Sequence, residues 1–278
     1  MSDFPRTTVG GVSLPRLIIG TNWLLGYSHS SPAKDKFIKD LQTRERMTAI
    51  FKVFMARGVN AVMAPLSEPL EEAIRDAEDA TGVEMIRILT PSFNITPGGN
   101  PAEDPEPVLD RAKALGATIC MPHQCVTDAL IDRRTRVIRD IDHYTRLIRE
   151  REMIPGLSTH MPEAIVYADM QDADVETYIQ LYNAAGFLMQ VEADWVMGII
   201  KNARKPVMTI KPLAAGRLLP VVGLAFVWST LRPCDMVTIG TTTPEEAHEV
   251  IDISLALLAG EVPESALQKT RSKASLTY

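Results

Sequence analysis

The chain has 278 residues, of which 46% are apolar and 23% charged, and its formal net charge is −6. That composition excludes a long disordered or low-complexity chain, and the acidic balance speaks against a general nucleic-acid or anionic-membrane surface. Three cysteines build no disulfide framework, no apolar run reaches the ~18 residues of a membrane span, and MSDFPRTTVGG lacks the plan of a signal peptide. The expectation is a single cytoplasmic domain over residues 1–278, with a small molecule rather than nucleic acid or membrane as its partner.

The chain opens on a hairpin, Thr7–Val9 and Val12–Leu14, around Gly10-Gly11, a dipeptide that accepts the positive φ angles of a tight turn. Short apolar runs then alternate with helical patterns. Leu17–Gly20 is followed by a long loop and a helix over Asp40–Arg57; Val59–Ala64 precedes Glu68–Ala80; Met85–Leu89 leads through a Pro/Gly-rich loop to a helix over Asp104–Leu115. Ala117–Met121 precedes a charged outer helix over Asp132–Glu150, and Ile154–Ser158 precedes Pro162–Asp169. Val175–Tyr182, Pro206–Ile210 and Met236–Ile239 precede helices over Glu192–Ala203, Leu218–Leu231 and Pro244–Leu258, and a polar tail follows from Pro263. Continuous apolar strands belong to parallel sheets covered on both faces. Eight strand–helix units without a midpoint break predict a closed α/β fold, a (β/α)8 TIM barrel with an N-terminal β-hairpin. GTNWLLG, after the first strand, does not have the GxGxxG spacing of a Rossmann turn.

In such barrels the chemistry gathers at the C-terminal ends of the strands. After the fourth strand, CMPHQC presents His123 as an acid, a base or a hydrogen-bond donor, or as a metal ligand with Cys120 and Cys125. After the fifth, GLSTH places Ser158 and His160 at the mouth, Ser158 either touching a ligand or capping the next helix. The sixth ends in Gln180, Tyr182 and Asn183. IKPLAAGRL puts Lys211 at the tip of the seventh, where a lysine binds an anion, acts as a base or imine-forming nucleophile when desolvated, or merely snorkels at the rim. Gly240, Thr241, Thr242 and Thr243 precede a helix with Pro244 at its start, an arrangement that binds anions, caps the helix, or does both. His29, in GYSHSS, follows the first strand and belongs to the same mouth.

Taken together, GLSTHMPEAI, YIQLYN, KPLAAGRL and TIGTTTPEEAHEV resemble the aldo-keto reductases, and the likeness runs from the hairpin to VIDISL. The resemblance implies a barrel that binds NAD or NADP without a Rossmann domain and passes a hydride to a small carbonyl substrate. It implies that Ser158 and Gln180 hold the carboxamide, that Pro212, Leu213 and Gly216 turn near the pyrophosphate, that Gly240 and Thr242 bind phosphate, and that Glu249 meets the adenine. A Lys or Arg for a 2′-phosphate is missing from the eighth loop, which favours NAD over NADP.

The family's catalytic Asp, Tyr and Lys have no counterpart in VMAPLSEPL or RILTPSF; His123 alone matches. Loss of a general acid is typically worth about 10²–10⁴-fold, so His123 is the expected catalytic group, helped by Lys211 or His160, with Tyr27 able to reach in from the first loop and no metal expected. Two further readings stay open. One is a non-redox lyase, isomerase or hydrolase using His29, Glu68, His123, His160 and Lys211, with or without a divalent ion; the other is a ligand-binding barrel without chemistry.

Overall fold

The computed structural model describes residues 3–263. The tail expected from Pro263 onward lies, beyond that residue, outside the described residues. The first strands, β1 (Arg6–Val9) and β2 (Val12–Pro15), pair antiparallel across Gly10 and Gly11, whose φ angles of 53° and 84° are those of the expected turn. Val9 and Leu14 are buried against the barrel interior, so the hairpin closes the N-terminal end of the cylinder.

The cylinder begins with β3 (Leu17–Gly20), β4 (Ala61–Ala64), β5 (Ile86–Leu89) and β6 (Ala117–Cys120). A small antiparallel ribbon, β7 (Ile131–Asp132) with β8 (Val137–Ile138), interrupts the pattern outside the barrel. The fifth barrel strand follows in two halves, β9 (Ile154–Pro155) and β10 (Leu157–Ser158), then β11 (Tyr178–Leu181), β12 (Val207–Ile210) and β13 (Met236–Gly240). β6 pairs with β9, β10 with β11, and β13 with β3, all in parallel, so the chain closes through Gly156. A Cβ at Gly156 would lie 2.7 Å from Met121 Cε and 3.0 Å from the Thr177 carbonyl oxygen, which is why glycine occupies the break.

Side chains alternate along each strand. Ile18, Ala61, Met63, Ile88, Ile119, Met121, Ile179, Met208 and Met236 fill the interior, while residues of opposite parity such as Leu17, Val62 and Tyr178 pack outward under the helices. Outside lie α1 (Pro32–Leu41), α2 (Arg44–Met55), α3 (Glu68–Thr81), α4 (Glu106–Ala114), α5 (Gln124–Leu130), α6 (Ile141–Glu150), α7 (Glu163–Met170), α8 (Ala193–Asn202), α9 (Pro220–Thr230) and α10 (Pro244–Leu258). Among the described residues no helix is long and apolar enough to cross a membrane. Near the N-terminal end of β5, the Arg87 guanidinium forks onto the carboxylates of Glu71 and Glu78 at 2.8–2.9 Å and also donates to the Met85 carbonyl. That ion network staples α3 to the sheet, far from the mouth.

Two expected helices are corrected. The helix expected over Asp40–Arg57 is two, because Thr43 takes an extended conformation and its hydroxyl accepts from the Arg46 N–H to start α2. The charged helix expected over Asp132–Glu150 begins only at Ile141. The Asp132 carboxylate accepts from the N–H groups of Arg134 and Thr135, making a turn that outcompetes the helix. Arg136 takes φ 58°, and the Gln171 side chain clamps both backbone groups of Ile138.

Candidate active site

The C-terminal mouth holds a cavity of about 790 Å³, within the usual ~300–1,000 Å³ of a ligand site. Strand alternation decides what faces it. The interior positions of each strand continue to its tip, so Gly20, Met63, Thr90, Ser158, Ile179, Ile210, Thr238 and Gly240 line the floor. His123 and His160 continue the same alternation beyond β6 and β10 and also line it.

Of the expected site residues, His123, Ser158, His160, Lys211, Pro212, Leu213, Gly216, Gly240 and Glu249 share this one cavity. Gln180 and Thr242 are not among its lining residues. Gln180 has the outward parity of Tyr178; it is 1% exposed and donates to the Leu181 carbonyl, while its neighbour Ile179 faces the floor. The Gln180 Oε1 is buried without a hydrogen-bond partner among the described residues. Thr242 spends its N–H and hydroxyl on the Glu246 carboxylate, at 2.6 and 2.8 Å, and its carbonyl accepts from Gln42 and Arg46. Thr241 takes its place on the wall.

Lys211 reaches the cavity by breaking the alternation. It follows the outward positions Val207 and Thr209, but its φ of 59° swings the side chain into the mouth. Ala214 and Ala215 are left-handed too, at 50° and 55°. Such conformations cost about 1–3 kcal/mol each and concentrate at functional sites. The turn is held by the Ala214 N–H donating to Lys211 O and by Arg217 donating to Ala214 O. The Arg217 guanidinium also stacks 3.9 Å from the centre of the Phe187 ring and donates to the His29 carbonyl, tying the seventh loop to the first.

Across that junction the Lys211 ammonium lies 3.2 Å from His29 Nε2. His29 Nδ1 is 3.2 Å from the Tyr27 carbonyl, which can only accept, so Nδ1 carries the hydrogen and Nε2 receives from Lys211. Burial lowers the Lys211 pKa to about 8. Desolvation, and then the Lys211 charge, pull His29, His123 and His160 downward, His160 to about 4. At neutral pH the cluster is one ammonium among three neutral imidazoles.

His123 caps α5, a helix that sequence reasoning read as loop. Its Nδ1 accepts from the Cys125 N–H, leaving Nε2–H as a donor. Cys125 Sγ sits 3.2 Å from that Nδ1 and 3.2 Å from Ser92 Oγ. His160 is placed by Asp128, whose carboxylate accepts from the Thr159 hydroxyl and the His160 N–H. Burial raises the Asp128 carboxyl above its ordinary range.

The set considered for a metal does not assemble: Cys120 is buried, facing outward from the barrel, with its thiol pushed up to about 12. Among the described residues no three His, Cys, Asp or Glu side chains are grouped to hold an ion. Glu68 pairs with Arg111 and does not line the cavity. At the tips of β4 and β5 the wall presents Met63 and Thr90. Tyr27 lines the rim, half exposed.

Sequence reasoning missed Trp23 altogether. Its ring covers Gly216 and Gly240: added Cβ atoms there would lie 3.6 and 3.0 Å from it. Thr238 and Thr241, 6% and 3% exposed, carry buried hydroxyls without a hydrogen-bond partner among the described residues. Glu246 and Glu249 also line the cavity.

No protein-family model matches the chain, and no curated protein does. Solved structures do. A putative aldo-keto reductase from Pseudomonas aeruginosa superposes with a TM-score of 0.63 at 15% identity, covering 92% of this chain and 97% of that one. An aldo-keto reductase from Bacillus halodurans in its holo form gives 0.59 at 12% identity over 94% and 93%. A glycerol dehydrogenase from Gluconobacter oxydans gives 0.55 at 12% identity over 95% and 99%. Nearly the whole length of each is matched at identities that speak for architecture alone, and at that level the chain has the aldo-keto reductase fold.

Proposed function

We propose that the protein is a nicotinamide-dependent oxidoreductase acting on a small carbonyl or hydroxyl compound. The observation that carries the reading is the pair of buried hydroxyls on Thr238 and Thr241, which belong to the cavity lining and lack hydrogen-bond partners among the described residues. Thr238 and Thr241 would donate to a dinucleotide, and Glu246 and Glu249 would accept from its ribose hydroxyls. Two carboxylates repel a 2′-phosphate, so the reading commits to NAD(H) over NADP(H).

When bound, the cofactor supplies or takes the hydride. The chain's own part is to bind, orient and move the proton. His123 polarises the carbonyl oxygen through Nε2–H, and Lys211 delivers the proton with His29 as its relay. Together they stand in for the tyrosine that VMAPLSEPL lacks. NADH titrated into the protein is expected to quench Trp23 emission with a constant well below that of NADPH; no binding of either at millimolar concentration would end this reading.

One feature favours a second reading, a non-redox lyase. Lys211 is desolvated and its only side-chain hydrogen bond among the described residues is to an imidazole, a setting that suits imine formation, in which the amine adds to a carbonyl carbon and water leaves. Borohydride trapping of substrate carbon on Lys211, without NADH binding, would choose it.

A further inference from the structure

Charge is distributed unevenly around the cavity. Lys211, His29, His123, His160 and Arg217 make up its basic side, and both lining carboxylates, Glu246 and Glu249, belong to α10. The carboxylates nearest the basic side are turned away from it. Asp35 accepts from the N–H and hydroxyl of Ser28, and Asp128 lies behind Thr159 and His160 with its charged form disfavoured by burial.

The Lys211 ammonium has three N–H groups and makes one side-chain hydrogen bond among the described residues, to a neutral ring nitrogen. No acidic partner offsets its desolvation, and the three histidines feel its charge as repulsion. A desolvated cation normally has a counter-charge. The cavity beside it is open, and His123 presents a second donor to the same space.

We infer that the basic side of the cavity is an anion subsite built on Lys211, and that the substrate is a small carbonyl compound carrying a carboxylate, of the 2-oxo acid or 2-hydroxy acid class. The carboxylate takes the two unspent N–H groups of Lys211, and the adjacent carbonyl oxygen takes Nε2–H of His123. This rests on the oxidoreductase reading for the reaction but not for the binding, which needs only the protein.

Pyruvate and its uncharged methyl ester separate the two. Calorimetric titration of each into the full chain, with and without NAD⁺, is expected to show pyruvate binding at least tenfold more tightly than methyl pyruvate at pH 7. The preference falls as pH rises through about 8, where Lys211 loses its proton; Asp35 and the three neutral histidines keep their charge states across that step. Lys211→Met abolishes the preference, and Lys211→Gln, which keeps a polar side chain, does the same if the first variant folds poorly. Lys211→Arg restores it in part. Equal binding of acid and ester, or a preference that survives both neutral variants, overturns the inference. NADH binding without a pyruvate preference overturns the anion subsite and leaves the oxidoreductase reading; a pyruvate preference without NADH binding does the reverse.

Discussion

Lys211 Nζ stands 3.2 Å from His29 Nε2, and with that contact the tip of the seventh barrel strand meets a loop from the first, 182 residues earlier in the chain. Neither residue alone makes a site. The ring is oriented by the Tyr27 carbonyl, the amine by a left-handed backbone, and Arg217 holds both loops in register.

The pair has a signature in stability. The Lys211 pKa in the folded protein, about 8, is below its ordinary value of 10.5. Between those two pH values the unfolded chain holds a proton that the folded one has released, so this group makes the wild type more stable as pH rises across the window. Lys211→Met removes the contribution. Denaturation midpoints at pH 7.5, 9 and 10.5 are expected to bring the variant's advantage down with rising pH; a constant difference would contradict a desolvated lysine.

Glu246 is expected to set cofactor choice. Its carboxylate, on the cavity wall, accepts from the Thr242 N–H and hydroxyl. Glu246→Arg exchanges a charge that repels a 2′-phosphate for one that pairs with it, and such contacts are worth about 1.5–3 kcal/mol. NADPH affinity relative to NADH is expected to rise tenfold or more, read by Trp emission; an unchanged ratio would place the adenosine end elsewhere.

Asp128 acts on the site through His160. Replacing it with Asn leaves one acceptor oxygen for two donors, the Thr159 hydroxyl and the His160 N–H. An unsatisfied buried donor costs about 1–3 kcal/mol. The expected result is a lower melting temperature together with weaker ligand binding at the mouth, whereas a purely structural role would move the first alone.

Glu71 provides the contrast. Its carboxylate and that of Glu78 neutralise Arg87 beneath α3, with Arg87 and Glu71 side chains 10% and 8% exposed. Glu71→Ala leaves a guanidinium short of counter-charge, and breaking such a pair costs about 3–5 kcal/mol. The melting temperature falls, while ligand affinity measured below it stays the same because the network lies at the opposite end of the barrel.

His160 gives acid sensitivity. Its folded pKa of about 4 lies under the ordinary 6.5, so the unfolded chain takes up the proton first on acidification. Stability is lost as pH falls from about 6.5 towards 4. His160→Gln is expected to flatten that limb of the pH–stability curve in chemical denaturation.

The barrel was legible in the chain because its evidence is local: apolar runs of strand length, turn residues between them, and eight repetitions of the same unit. Most of the mouth was legible for the same reason, since Ser158, His123 and Gly240 keep the alternation of their strands. The errors came where a side-chain hydrogen bond rewrites the backbone. Asp132 turns the chain before α6 can start, and Thr43 caps a new helix inside what reads as one. Gln180 stands one position of strand parity from the cavity-lining Ile179 and is not itself part of the lining, a difference that residue type alone does not reveal.

Residue type and spacing are written along one dimension, and they suffice for the order of strands, the hairpin plug and the list of groups at the strand tips. Partnership is not written there. That His29 faces Lys211, that Trp23 covers two glycines from distant loops, and that the basic groups and the carboxylates of α10 line one cavity follow only from closing the sheet on itself. Closure brings strands one and seven within reach of each other, and the left-handed turn at Lys211 aims an outward residue inward, a choice set by the packing around it and invisible to any periodic pattern.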